Sequence, residues 1–388
     1  MTTSHWIRQK YGKSPDISTD VLIVGGGYVG LSTAYWLTEL RPDLKITVLD
    51  RSLCGAGASG RNAGFLTKGS ASFYKSLTQK WGEEKAIDLY RFAENSLELA
   101  HQHILKKTAD INYVPSSSLT LFQSEQQYVS WQTEGFDPRK FNFHWNDNLR
   151  IPTPLKNKFF GAFENSPEYK INPIELLSSI KNILETREVT FIESSMAFEI
   201  KASGVQTETT TIKAKQVVMA LNGYFPQFNA VFKEAFIPRR AQMLAVEIEE
   251  GFDCPALHYD PPERVYWRKA QNNVLLIGGK RLLDEAGEKG DFEKISPLIQ
   301  AGLENYISDQ LGLKYKVINR WSGIMGFTEH ELPLVGKIAA PVETFIIGGF
   351  SGHGMGLGFA SAKDVAELVT GIRKESFFSN FKKAEFSL

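Results

Sequence analysis

The sequence predicts an α/β fold, and three observations predict it. An apolar, β-branched run at 20–24 breaks into glycines and then into a helical pattern; a second apolar run at 46–49 ends in an acid; and a strand, glycine loop and helix pattern recurs at 345–370, near the opposite end of the chain. Short buried strands alternating with helices are the signature of a parallel sheet with covered faces. With 388 residues, 42% of them hydrophobic, the chain is long enough to bury two cores, and length favours two domains.

The first unit runs Asp20-Val21-Leu22-Ile23-Val24, then Gly25, Gly26, Gly27 and Gly30, then apolar residues at helical spacing from Leu31 to Leu40. Arg41-Pro42-Asp43 closes that helix, Ile46 to Leu49 reads as the second strand, and Asp50 ends it. Gly25, Gly27 and Gly30, with Tyr28 and Val29 between them, satisfy a dinucleotide fingerprint. There the glycines allow a tight turn and a close backbone approach to a pyrophosphate, whose charge the helix N-terminus favours. Asp50, twenty residues after Gly30, is placed to accept a hydrogen bond from a ribose hydroxyl, and an acid there disfavours a 2′-phosphate. Arg51 beside it counts as a further cofactor contact.

The fingerprint does not separate NAD from FAD, and other segments make the choice. The small-residue loop at 55–64 includes Ala58, Ser59, Gly60, Arg61, Asn62, Ala63 and Gly64, with Phe65 following, and suits close approach to a flat ligand. A strand-like run at 216–220 leads into Leu221-Asn222-Gly223, and Met196 and Ala197 precede it as candidates on the same side. Near the C-terminus, Phe345 to Gly349 leads into Phe350, Ser351, Gly352, His353, Gly354, Met355 and Gly356, then a helical stretch from Ala360 to Thr370. A helix N-terminus at that point would aim N–H groups at the flavin N1–C2=O region, where negative charge gathers on reduction. His353 is a candidate for a chemical role there, against the plainer reading of a packed histidine.

These segments occur in the order found in the D-amino-acid oxidase superfamily of FAD-dependent oxidoreductases, which the chain resembles over nearly its whole length. The resemblance rests on Gly25 to Gly30, Ala58 to Gly64, Tyr266-Trp267-Arg268 leading to Gly278-Gly279, Trp321-Ser322-Gly323 through Pro333 and Gly336, and Gly349 to Met355. It implies a Rossmann-like FAD-binding domain that is discontinuous (18–110, 171–235 and 318–388), with non-covalent FAD and Gly326 among its contacts. It also implies an inserted α+β substrate domain (111–170 and 236–317) on a mixed or antiparallel sheet. Strands are expected at Leu119–Phe122, Phe159–Phe163, Met243–Ile248 and Val274–Ile277, and a long amphipathic helix from Glu83 to Leu105.

Enzymes of the superfamily that act on glycine or D-amino acids carry an arginine two residues after the Trp-x-Gly motif, where this chain has Met325. Sarcosine oxidases resemble one another in a lysine after the Gly-His-Gly segment, matched here by Gly356. A carboxylate without a cationic partner is costly to bury, so both departures count against a simple α-amino acid in the usual pose. Arg61, Arg240, Arg268, Lys280 and Arg320 remain as anchors, with Arg268 preferred. The Ala-Ser-Gly-Arg-Asn and Gly-Phe-Ser-Gly-His-Gly segments most resemble γ-glutamylputrescine oxidoreductases, a branch that oxidises amines. The resulting expectation is an enzyme that oxidises a C–N bond of a small amine by hydride transfer to flavin N5. Its candidate catalytic residues are Tyr266, Arg268 and His353, and Met325, Trp267 and Arg61 line its substrate pocket. Leu276 matches the lysine that promotes oxygen reaction in sarcosine oxidases, so the acceptor is oxygen or a carrier such as a quinone. His330 replaces an aspartate common in the family.

Bulk properties exclude other classes. Lysine plus arginine equals aspartate plus glutamate at 44 each, which argues against nucleic acid or an anionic membrane as partner. Cys54 and Cys254 lack metal-ligand spacing, so neither a metal site nor a disulfide framework is expected and a cytoplasmic setting fits. The first twenty residues have no apolar core of a signal peptide, and no apolar run reaches membrane-spanning length. The alternatives are a D-amino-acid or N-methyl-amino-acid oxidase or dehydrogenase and, in another class, a non-catalytic flavin-binding subunit.

Overall fold

The computed structural model describes residues 17–108, 110–147, 155 and 158–388; the polar amino-terminal lead through Asp16 lies outside the described residues. Among the described residues two sheets organise the chain. With strands numbered along the chain, the first sheet holds β1 (Ser18–Val24), β2 (Ile46–Leu49), β7 (Thr190–Ile192), β8 (Ala197–Lys201), β9 (Gly204–Thr207), β10 (Thr211–Met219), β16 (Leu334–Ile338) and β17 (Glu343–Gly348). Its order is β16-β17-β10-β1-β2-β7, and a β8–β9 hairpin hangs on β10. β17, β10, β1, β2 and β7 run parallel, and only the edge pair β16–β17 and the hairpin are antiparallel.

The near-continuous apolar runs seen in the sequence follow from burial on both faces. Val21 and Ile23 point into a core shared with helices α1 (Tyr28–Leu40), α2 (Ala71–Trp81), α3 (Glu83–Ala100), α5 (Pro173–Thr186) and α7 (Gly354–Val369). Leu22 and Val24 point the other way, into a core with Val217, Met219, Phe225, Phe232 and Phe236. Helix α1 packs on α7, and Trp36 Nε1 donates to the Phe359 carbonyl at 3.0 Å, satisfying an indole that is otherwise buried. The long helix expected from Glu83 is α3, which widens into a π-helical turn from His101 to Leu105. That turn keeps Ile104 and Leu105 in the core and brings His103 Nδ1 within 3.2 Å of the Tyr35 hydroxyl.

The second sheet holds β3 (Phe65–Leu66), β4 (Val114–Phe122), β5 (His144–Asp147), β6 (Gly161–Lys170), β11 (Ile237–Ile248), β12 (Leu257–Asp260), β13 (Val265–Lys269), β14 (Val274–Gly279) and β15 (Tyr315–Phe327). It is mixed: β12 and β4 run parallel, and its other pairs are antiparallel. One face of β11, β13 and β14 presents Leu244, Val246, Trp267, Leu275 and Ile277 to a core with Ile299 and Leu303 of helix α6 (Pro297–Asn305). Helix α4 (Glu125–Thr133) lies against β4, where Trp131 meets Phe122 edge to face.

The sheets pair two segments otherwise than the expected division groups them. The division at 317/318 falls inside β15, which pairs with β11 from Tyr315 to Phe327 and so belongs to the second sheet. Phe65 and Leu66, expected with the first unit, pair with Lys170 and Tyr169 of β6. In both cases a cross-strand ladder satisfies the backbone groups of these residues. Among the described residues no helix is long and apolar enough to cross a membrane.

Candidate cofactor and substrate site

A cleft of about 490 Å³ opens beyond the carboxyl ends of β1, β2, β10 and β17, the position at which parallel sheets bind ligands. The turn from β1 into α1 forms its floor. Gly25 has φ +112° and a Cβ on Gly30 would lie 1.9 Å from the Gly25 carbonyl oxygen, so strand and helix approach more closely than any side chain permits. Gly27 caps α1 and, as a glycine, offers no capping side chain, which leaves N–H groups of the first turn beyond Tyr28 and the positive end of the helix dipole facing the cleft. Ser59 Oγ accepts from Tyr28 N at 2.9 Å and fastens the 55–64 loop beside that turn. Tyr28, Val29, Ala58, Ser59, Arg61 and Asn62 all line the cleft.

Asp50 lies at the far end, where Oδ2 accepts from Gly26 N at 2.7 Å and Oδ1 from Ser52 N at 2.8 Å. Burial holds its carboxyl above the ordinary range, although those two N–H groups oppose the shift. Arg51 stacks over the Tyr224 ring at 3.9 Å and donates to Gln227 Oε1 at 2.6 Å. Met196, Ala197 and Asn222 also reach the cleft. Tyr224 and Gln227 were missed from the sequence; the signal was their position directly after the Leu221-Asn222-Gly223 turn.

At the other end, α7 begins beside the cleft with His353 as its N-cap residue, again without a side-chain cap. Gly352, Gly354 and Met355 line the cleft together with Met325 and Gly326. Several expected contacts instead pack just behind it. Gly60 sits on the Gly55 carbonyl and Ile174, Gly64 on the Ile171 carbonyl, Gly223 against Ile324 and Met325, and Gly356 against the Thr67 carbonyl. Ala63 is buried, Phe65 meets Tyr266 edge to face at 6.0 Å, and Ser351 Oγ accepts from Thr328 N at 3.3 Å.

Residues directly opposite across antiparallel strands share a face. The pairs Arg239↔Met325, Ala241↔Gly323, Met243↔Gly278 and Tyr266↔Gly278 therefore define one face of the second sheet. Met325 and the contact of Gly323 with Arg61 turn this face toward the cleft. The Tyr266 hydroxyl belongs to it, donating to Met243 Sδ at 3.4 Å, and burial pushes its pKa up to about 12. Trp267, one residue on, faces the opposite way. It is fully buried and stacked on His258 at 3.6 Å, which corrects its assignment to the substrate pocket.

Most of the expected carboxylate anchors are already engaged. Arg61 donates to the Ala56 and Ser322 carbonyls and pairs with Glu293 at 3.1 Å. Arg240 pairs with Glu288 inside the core, Lys280 with Glu263, and Arg320 with Glu304 at 3.0 Å. Arg268 donates to the carbonyls of Ala63 at 2.5 Å and Ile171 at 2.8 Å, and burial lowers its pKa to about 10, so it braces the loop behind the cleft. His353 stacks on Phe73 at 3.6 Å with Nδ1 unpartnered, and burial depresses it to about 4, which keeps it neutral near pH 7. His330 rests edge to face on Trp81, 6.1 Å away.

A helix N-terminus at each end, a glycine floor that admits backbone-close ligands and an acid at the ribose position fit an extended dinucleotide flavin. Comparison with known proteins agrees. The model of the FAD dependent oxidoreductase family, DAO, matches residues 20–368. A probable oxidoreductase OrdL of Rhizobium meliloti (strain 1021) is 26% identical over 91% of this chain and 83% of its own length. The γ-glutamylputrescine oxidoreductase of Escherichia coli (strain K12) is 24% identical over 92% and 84%. In fold, the chain is similar to the L-proline dehydrogenase from P. horikoshii, with a TM-score of 0.76, 17% identity, and coverage of 93% of this chain and 96% of that one. With the family model spanning both sheets and the whole cleft, the chain belongs to the DAO family of FAD-dependent oxidoreductases.

Proposed function

We propose that the chain oxidises a C–N bond of a small amine, in the manner of an enzyme acting on γ-glutamylputrescine-like substrates. FAD, when bound, supplies the acceptor for a hydride from the carbon beside the substrate nitrogen. The chain's own residues position both partners. Gly25, Gly27, Gly30 and the α1 N-terminus would receive the pyrophosphate, Asp50 a ribose hydroxyl, and the α7 N-terminus at Gly354 and Met355 the flavin end. The amine lies against Met325, Met243 and Tyr266, where apolar walls exclude water and favour the unprotonated amine that hydride loss requires. The imine then takes up water and hydrolyses to a carbonyl compound and the released amine or ammonia, and the electrons pass to oxygen or to a carrier such as a quinone.

The observation that carries this reading is the apolar pair of positions at 325 and 356. Met325 stands on the cleft wall, and a Cβ at Gly356 would lie 2.0 Å from the Thr67 carbonyl oxygen, so neither position supplies a cation. The unpaired state of Cys54 and Cys254 supports a reducing, cytoplasmic setting. The test is anaerobic bleaching of the flavin absorbance by a panel of γ-glutamylputrescine, polyamines, sarcosine, glycine and D-amino acids. Bleaching by the amines is expected. Faster bleaching by glycine, sarcosine or D-amino acids would move the assignment to amino-acid oxidation, and a flavin that none of them bleaches would leave a non-catalytic subunit.

A further inference from the structure

The cleft-facing side of the second sheet carries a cationic cluster that none of the expected anchors accounts for. Arg239 of β11 lies opposite Met325, and its guanidinium sits 5.5 Å from the centre of the Phe327 ring, two residues along β15. Arg281, just after β14, lies over the same ring at 4.6 Å. Arg264 adds a third positive charge close enough to act on Arg281. Against these three stands Glu285, which pairs with Arg239 at 2.7 Å. Lys280 adds nothing to the balance, because Glu263 neutralises it.

The cluster is also short of acceptors. The Nε atoms of Arg239 and Arg281 are both buried without a partner, and among the described residues Arg281 makes no hydrogen bond or ion pair. Arginines that share one aromatic ring are held in place by stacking, with their N–H edges left available. Both arginines are only partly buried, but a buried N–H donor left without a partner is costly, and a carboxylate or similar planar anion matches a guanidinium fork. Tyr259 and Tyr266 stand opposite each other on the same face and both lie near Arg281. The Tyr266 hydroxyl, which among the described residues meets only a thioether, can join them as a donor.

We propose that Arg239 and Arg281 form an anion subsite beside the cleft that takes the carboxylate of the substrate. The substrate is then an amine that also carries a carboxylate, with the amine directed past Met325 toward the cofactor. This rests on the amine-oxidation reading for its chemistry, while the subsite itself is defined by residues that reading does not use. It also explains how positions 325 and 356 can be apolar in an enzyme with a charged substrate: the cation has moved to a neighbouring strand and the loop after β14.

The holoenzyme tests it with 4-aminobutyrate against butylamine, which differ by the carboxylate alone, and by calorimetric binding of butyrate and glutarate, which lack the amine. Expected are a higher kcat/KM for 4-aminobutyrate and a rise in its KM of about a hundred-fold in Arg281→Met, with butylamine kinetics unchanged. Arg281→Lys should recover part of the loss. Arg239→Met should act in the same direction, and because Arg281 makes no hydrogen bond or ion pair among the described residues and methionine can keep the contact with Phe327, its variant should fold. Binding of the carboxylates should weaken at least about ten-fold in Arg281→Met. Equal binding in wild type and variant, no carboxylate binding at all, or equal use of the two amines would overturn the subsite. If carboxylates bind through Arg281 and yet no amine bleaches the flavin, the subsite stands and the amine reading falls.

Discussion

His258 illustrates how a polar residue can be mistaken for chemistry or overlooked as packing. It is fully buried, both ring nitrogens lack partners, and its ring lies on Trp267 at 3.6 Å and 5°. Burial depresses its pKa to about 3, so the folded state holds the neutral ring while the unfolded chain protonates near the ordinary value of about 6.5. The sign follows: its contribution to stability is complete above about pH 6.5 and is lost as pH falls toward 3, at up to about 1.4 kcal/mol per pH unit. His353, depressed to about 4, acts in the same sense over the upper part of that window. Replacing His258 with Phe should therefore flatten the fall in unfolding free energy between about pH 6 and 4, measured by urea denaturation at each pH. An unchanged slope would mean that the ring is already charged or solvated in the fold. Trp267 and Tyr266 were both expected at the pocket from one motif, and strand alternation separates them, which no single-residue argument could do.

At the scale of the element, the β1–α1 turn is where sequence and structure agree most closely, because its chemistry is local. A glycine triad, a strand before it, a helix after it and an acid at the end of the next strand are all readable from neighbouring letters, and each lies where expected. The close contact makes a sharp prediction. A methyl group at position 30 would meet the Gly25 carbonyl oxygen, a backbone atom that cannot turn aside. Gly30→Ala should push α1 away from β1 and weaken FAD binding by at least about ten-fold, about 1.4 kcal/mol, read as the flavin-to-protein absorbance ratio after dialysis. The rest of α1 packs on α7 and should hold the fold. A variant that retains full flavin would show that the turn can open by enough to relieve this contact.

Across the whole molecule, legibility declines with the sequence distance over which a feature is assembled. Strands β1, β2, β10 and β17 were visible as apolar runs, since each is buried on both faces. β15 was divided between units because its sequence is unremarkable and only its ladder with β11, about eighty residues earlier, reveals its sheet. The same register decides between Arg239 and Arg240: of the two, Arg240 alone is expected as an anchor from the sequence, yet Arg240 turns inward to Glu288 while its neighbour Arg239 faces Phe327. The end of β15 also ties the two sheets together at the cleft. A Cβ on Gly326 would lie 2.7 Å from Asn222 Oδ1, the Gly326 carbonyl accepts from Ser351 N at 2.8 Å, and Arg268 of the second sheet holds the 55–64 loop through Ala63. A ligand filling this cleft touches both sheets, so FAD should stabilise them as one unit. At free FAD a thousand-fold above its dissociation constant, the gain is about 4 kcal/mol. Removing FAD should lower the melting temperature in a single transition and raise amide exchange in 24–31 and 322–328 together. Two separable transitions, with only the first sheet responding to FAD, would show that the coupling through β15 is too weak to carry the cofactor's effect across.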